Sequence, residues 1–95
     1  MKRLLLSDEV RQDIEGIWLF TMENWGQEQA DRYVAGITGT FEKLADVTIV
    51  SRAAEGSKPG LREVLVARHV VFFREVAEVV EVVRVLHERM DVGRV

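Results

Sequence analysis

From Leu61 to Leu86 almost every second or third residue is β-branched or aromatic, a pattern that suits a pleated, half-buried surface. Three consecutive strands are predicted there. In the first, Leu61, Glu63, Leu65 and Ala67 alternate with Arg62, Val64, Val66 and Arg68. In the second, His69, Val71 and Phe73 oppose Val70, Phe72 and Arg74. In the third, strict alternation puts Val79, Glu81, Val83, Val85 and His87 on one face and Val80, Val82, Arg84 and Leu86 on the other.

Ahead of the strands the period changes. Val10, Ile14, Ile17, Trp18, Thr21 and Trp25 recur at three- and four-residue steps, one face of an amphipathic helix. Ser7 stands where an N-cap belongs, with Asp8 and Glu9 in the first turn, where carboxylates favour the helix dipole. Gly26 stands where a left-handed residue would end that helix. A second helix follows at once, with Ala30, Tyr33, Val34, Ile37, Phe41, Leu44 and Ala45 as its apolar stripe, so an antiparallel hairpin is expected. Gly36 and Gly39 each cost about 1 kcal/mol inside a helix. Either they allow close approach to the first helix near Trp18, or they are tolerated. Lys2 to Leu6 forms a short strand candidate, and Asp46 to Gly60 reads as loop, with Gly56 and Pro59-Gly60 as breakers. The order β-α-α-β-β-β predicts an α+β domain of two layers, a helical hairpin on an antiparallel sheet.

Both faces of the predicted strands are mostly apolar, although one hairpin covers only one face. Such surplus points to a partner. The first helix carries further apolar groups off its main stripe, Leu19, Phe20 and Met22, which are candidates for contact with a partner helix and an extended segment. The turn Glu75-Val76-Ala77-Glu78 lacks the Asn-Gly or Asp-Gly of a tight hairpin.

Ninety-five residues make one domain, taken as residues 1–95. No run of about 18 apolar residues spans a membrane, and the three leucines after Met1-Lys2-Arg3 are too few for a signal sequence. Without Cys there are no disulfides, and a cytoplasmic location is expected. Residues 1–56 hold 10 acids against 6 bases, and residues 57–95 hold 6 against 7. That is too little positive charge for a broad nucleic-acid footprint, so no direct sequence-specific nucleic-acid binding is expected. Two His, His69 and His87, without a third or a carboxylate cluster make a poor metal site, and no metal or cofactor is expected.

Specific strings lie on this frame: Leu6-Ser7 opening the first helix, Ile17-Trp18 within it, Trp25-Gly26 at its end, then Gln29-Ala30-Asp31-Arg32-Tyr33. Pro59-Gly60-Leu61-Arg62 leads into the strands, Ala67 precedes Arg68-His69-Val70-Val71-Phe72-Phe73-Arg74, and Val83-Arg84-Val85-Leu86-His87-Glu88-Arg89-Met90-Asp91 closes the chain. In order and spacing, over essentially the whole chain, this resembles the ParE branch of the RelE/ParE toxin superfamily. The resemblance implies the toxin of a type II toxin–antitoxin module, a ParD-like antitoxin in a hetero-oligomer (a heterotetramer or larger), and DNA gyrase as the target, inhibited by binding. Arg84, His87, Arg89 and Met90 are the corresponding target-binding candidates; Leu19, Phe20 and Met22 are the antitoxin-binding ones.

The same superfamily contains ribosome-dependent endoribonucleases. Cutting RNA by 2′-hydroxyl attack needs a base, a cation for the phosphorane charge and an acid for the leaving oxygen. Arg68 and His87 could supply part of such a set. The rest reads as incomplete: the only tyrosine, Tyr33, lies in a helix stripe, Glu88 follows His87, and the middle loop offers only Arg52 and Lys58. His87 could equally bond a backbone carbonyl or Asp91, and His69 at a strand start reads as structural. The alternatives to gyrase inhibition are therefore mRNA cleavage, or a degenerate toxin that only binds its antitoxin.

Overall fold

The computed structural model describes residues 2–46, 49–54 and 59–89. Chain order is β1 (Arg3–Leu6), α1 (Asp8–Trp25), α2 (Gln27–Ala45), β2 (Arg52–Ala53), β3 (Arg62–Val66), β4 (His69–Val76) and β5 (Val79–His87). The helices lie on one face of a five-stranded sheet ordered β1-β5-β4-β3-β2. The α+β, two-layer reading stands, with three details changed. The two-residue β2 pairs with β3 inside the segment read as loop. β1 runs parallel to β5; two helices and three strands separate them in the chain, so no hairpin forces antiparallel pairing. The third detail is the phase of β5.

Register shifts between Phe72 and Phe73, which pair with Arg84 and Val82, so Val83 is the extra residue of a bulge. One inserted residue flips everything after it. Val80, Val82 and Val85 therefore share the helix-facing core with Val71, Phe73, Val10, Ile37, Phe41 and Leu44, although strict alternation separated Val85 from the other two. Val83 turns to the far side with Val70, where Phe72, Leu86, Ala54 and Leu61 form a second small cluster. The far face is thus partly covered by the chain's own return into β3. Arg62 holds that return in place, donating from Nε to Ser51 Oγ and from Nη2 to the Ser51 carbonyl, both at 2.9 Å.

The helix ends follow the sequence. The Ser7 hydroxyl accepts from the Val10 amide (3.2 Å) and donates to the Val83 carbonyl (2.9 Å), capping α1 and tying it to the bulge in β5. Gly26, at φ +92°, makes a one-residue joint between the helices. The Trp18 indole N–H reaches Asp31 Oδ1 across the hairpin at 2.8 Å. Gly36 and Gly39 are not contact points: a Cβ built on either meets nothing within 4 Å. The β3–β4 and β4–β5 hairpins each close with two residues, Ala67-Arg68 and Ala77-Glu78, and in each the alanine takes the positive φ (54° and 52°) that Gly or Asn usually supplies. This explains why the second turn carried no sequence signal.

Candidate functional site

Where the helical hairpin's closed end meets the β3–β4 turn, the chain leaves a cleft of about 270 Å³ lined by Phe20, Thr21, Trp25, Gln29, Tyr33, Arg68, His69 and His87. Its position follows from the fold. Tyr33 sits one turn before Ile37 on the stripe of α2 that faces the sheet. His69 and His87 are register partners at the ends of β4 and β5. Phe20 and Trp25 close the wall from the last turns of α1, edge to face with ring centroids 6.1 Å apart. Both stay largely in solvent, 62% and 66% exposed.

The polar side of the cleft is a connected set. The Arg68 backbone N–H donates to the Tyr33 hydroxyl oxygen (3.3 Å), and that hydroxyl lies 2.7 Å from His69 Nδ1. The phenol oxygen therefore sits between a backbone donor and the imidazole, fixing the orientation of the His69 ring. Burial pushes the His69 pKa below its ordinary value and the His87 charge pushes the same way, against weaker opposing pulls from Glu88 and Asp13. The His69 ring stands edge-on to both Tyr33 (5.5 Å) and His87 (5.3 Å). His87 Nδ1 accepts from the Arg89 amide (3.2 Å), and the Glu88 amide donates to the Arg68 carbonyl (2.9 Å). On the rim, the Arg68 guanidinium lies 3.4 Å from Glu88 Oε1 and remains 68% exposed.

Of the residues singled out from sequence, Phe20, Arg68 and His87 meet in this cleft. Leu19 is exposed and Met22 half-buried on the same helix, but neither lines it. Arg89 is exposed beside His87. Arg84 lies elsewhere. Its Nε and Nη2 hold the two carboxylate oxygens of Asp13 at 2.9 Å each, and Asp13 Oδ2 also accepts from the Val85 amide at 2.9 Å. The hydrogen bond to Asp13 raises the Arg84 pKa above its ordinary value. Met90, Asp91 and Lys58 lie outside the described residues.

Two participants escaped the sequence. Tyr33 looked like one more apolar stripe residue, yet a phenol facing a sheet needs a partner for its hydroxyl, and that was the available signal. Asp13, between Val10 and Ile14, was a charge beside the apolar stripe, and only the fold supplies its partner. As chemistry, the cleft offers an apolar aromatic wall, an imidazole held by a phenol, and a guanidinium on the rim already opposed by a carboxylate. Among the described residues no group of three His, Cys, Asp or Glu side chains converges as a metal site.

Residues 4–92 match the sequence family described as the ParE toxin of the type II toxin–antitoxin system, parDE. The chain is 37% identical over 93 residues to Toxin ParE1 of Mycobacterium tuberculosis (strain ATCC 25618 / H37Rv), covering 97% of this chain and 95% of the relative. It is 35% identical over 91 residues to Toxin ParE1 of Caulobacter vibrioides, covering 96% and 94%. Among solved structures, the chromosomal ParDE system of P. aeruginosa superposes with a TM-score of 0.80 at 20% identity, over 92% of this chain and 96% of that one. The toxin–antitoxin complex DinJ–YafQ of E. coli gives 0.68 at 10% identity, over 98% and 100%. At these identities the two structures speak for the fold alone.

Proposed function

This chain belongs to the family of ParE toxins of type II toxin–antitoxin systems, and on that premise we propose that it acts in the cytoplasm by binding DNA gyrase, not by cutting RNA, and that a ParD-like antitoxin neutralises it. The observation that carries the choice is the Arg68–Glu88 pair. Arg68 is the one arginine or lysine lining the cleft among the described residues, and a carboxylate stands 3.4 Å from it. A phosphorane needs a cation not already opposed, and Glu88 would repel the phosphate itself. Arg84, the next arginine along β5, is committed to Asp13. No cofactor enters this reading.

The antitoxin contacts are proposed at Leu19, Phe20 and Met22, in a hetero-oligomer of four chains or more. The target contacts are proposed at His87, Arg89 and Met90, with Arg84 fixing the strand that presents them. One observation favours mRNA cleavage instead: Tyr33, His69, His87 and Arg68 converge although they come from separate elements. Expression without antitoxin separates the two readings. Double-strand DNA breaks and SOS induction with intact mRNA are the expected result. Codon-spaced mRNA cuts on ribosomes that vanish in Arg68→Ala or His87→Ala would install the ribonuclease. Deleting residues 90–95 is expected to abolish growth arrest while antitoxin binding survives.

A further inference from the structure

The bulge in β5 decides which side chain stands opposite His69. Below it the β4–β5 ladder is regular, from Val76 with Val79 up to Phe73 with Val82. Continued without a bulge, that ladder would pair Phe72 with Val83, Val71 with Arg84, Val70 with Val85 and His69 with Leu86. A slip of one residue moves every later side chain to the other face of the sheet. His87 would leave the cleft, and Leu86 would take its place opposite His69. The register present instead sets His87 against His69, ring centroids 5.3 Å apart.

Most of the strand is indifferent to this choice. Val83, Val85 and Leu86 are apolar and suit either face, and Arg84 is the only Asp, Glu, Lys or Arg between Val82 and His87. In the regular ladder Arg84 would stand opposite Val71, which is fully buried in the helix-facing core. An unpaired charge is costly there. The bulge keeps it out, and α1 supports the bulge from above. The Val83 carbonyl accepts from Ser7 Oγ and the Val85 amide donates to Asp13 Oδ2, both at 2.9 Å, while Asp13 also receives both arms of Arg84.

We infer that Arg84 and Asp13 form a register lock on β5, positioning residues that hold off the slipped ladder and thereby place His87 in the cleft. The inference uses the proposed gyrase reading only for its consequence: releasing the lock removes a proposed target contact that neither residue touches. Removing one charge strands the other and lowers stability. Removing both takes away the penalty on the regular ladder and the support of the bulge together, so the strand slips while the fold persists.

The test uses the full chain carrying Asp13→Leu and Arg84→Leu together, and the same double variant with Val83 deleted. Nuclear Overhauser contacts read the register, and inhibition of gyrase supercoiling reads the consequence. In the wild type the His69 ring contacts the ring of His87. The double variant is expected to lose that contact, to gain one from the Leu86 methyls to His69, and to inhibit gyrase about tenfold less well. Deleting Val83 removes the extra residue, so a regular ladder again pairs His69 with His87. The triple variant should therefore regain both the contact and the inhibition without either charge, a rescue that a merely stabilising role does not produce. A double variant that keeps the His69–His87 contact overturns the inference, and so does a triple variant that lacks it. If the double variant does not fold, a triple variant that folds with the contact restored supports the lock, and one that also fails to fold overturns it. A slipped double variant that still inhibits gyrase leaves the lock standing and removes His87 from the target contact. A wild type that does not inhibit gyrase removes the gyrase reading alone, since the register is read independently.

Discussion

The two ends of α1 meet the sheet in opposite ways. At the N-terminal end, Ser7 caps the helix and bonds the Val83 carbonyl at the bulge of β5, while Asp13 gathers both arms of Arg84 and the Val85 amide. Polar groups there are paired, with the apolar core immediately behind. At the other end, Phe20 and Trp25 border a cleft with His69 and His87, and that aromatic wall is mostly in water. The same helix is therefore anchored at one end and left open at the other. Stability should be lost by mutation at the first end, and recognition by mutation at the second.

The largest expected effect is in the core that both ends share. Phe73 is fully buried between β4's neighbours and the helices. Phe73→Ala is expected to cost about 3–5 kcal/mol in urea unfolding. Phe20→Ala, a change of the same chemistry on the exposed wall, should leave the midpoint almost unmoved and instead weaken antitoxin binding by about 1–3 kcal/mol. If Phe20→Ala unfolds the protein, the wall is part of the core and the contrast fails.

Next in size is the anchored end. Asp13 is 12% exposed at its side chain, and removing it strands a half-buried guanidinium and a backbone N–H. An orphaned donor costs about 1–3 kcal/mol and loss of a buried ionic partner about 3–5 kcal/mol. Discounting for Arg84's partial exposure, Asp13→Ala should destabilise by about 2–3 kcal/mol. A double-mutant cycle with Arg84→Ala is the check, and coupling below about 0.5 kcal/mol would mean the pair is ornamental.

How much of this was legible in the sequence differs between the two ends for a physical reason. Helix stripes, the Ser7 cap and the Gly26 joint are local patterns, read within one or two turns. The phase of β5 was not, because a bulge at Val83 has no composition of its own and yet moves Val85 to the other face. The tight turns at Ala67 and Ala77 were equally silent, since alanine there tolerates a conformation that usually calls for glycine. The cleft draws its lining from α1, α2, the β3–β4 turn and the end of β5. Phe20, Arg68 and His87 were visible as candidates singly, but only the tertiary structure puts Tyr33 with them.

The open end should also show in the pH dependence of stability. His69 is faced by Tyr33 from α2, by His87 and Glu88 at and beyond the end of β5, and by Asp13 from α1. Its folded pKa lies below the 6.5 of the unfolded chain, burial being the main cause. Between those two values the unfolded state binds the extra proton, so stability rises with pH through that window and is fully present above it. Urea midpoints from pH 5 to pH 7.5 should therefore climb in the wild type and climb less in His69→Gln. An unchanged slope would mean that His69 does not carry the pH dependence.

The smallest effect concerns a place that belongs to neither end. Gly36 lies in mid-α2, exposed, and an added Cβ meets nothing within 4 Å. Its carbonyl accepts from Thr40 Oγ1 at 3.1 Å, a bond that a side chain at position 36 does not disturb. Glycine there only enlarges the conformational freedom of the unfolded chain. Gly36→Ala should accordingly stabilise the fold by about 0.5–1 kcal/mol. The cleft is built from other residues, so antitoxin affinity and growth arrest should not change. A loss of either on Gly36→Ala would mean that this outer face of α2 is itself a contact surface, and the division between anchored and open ends would have to be redrawn to include it.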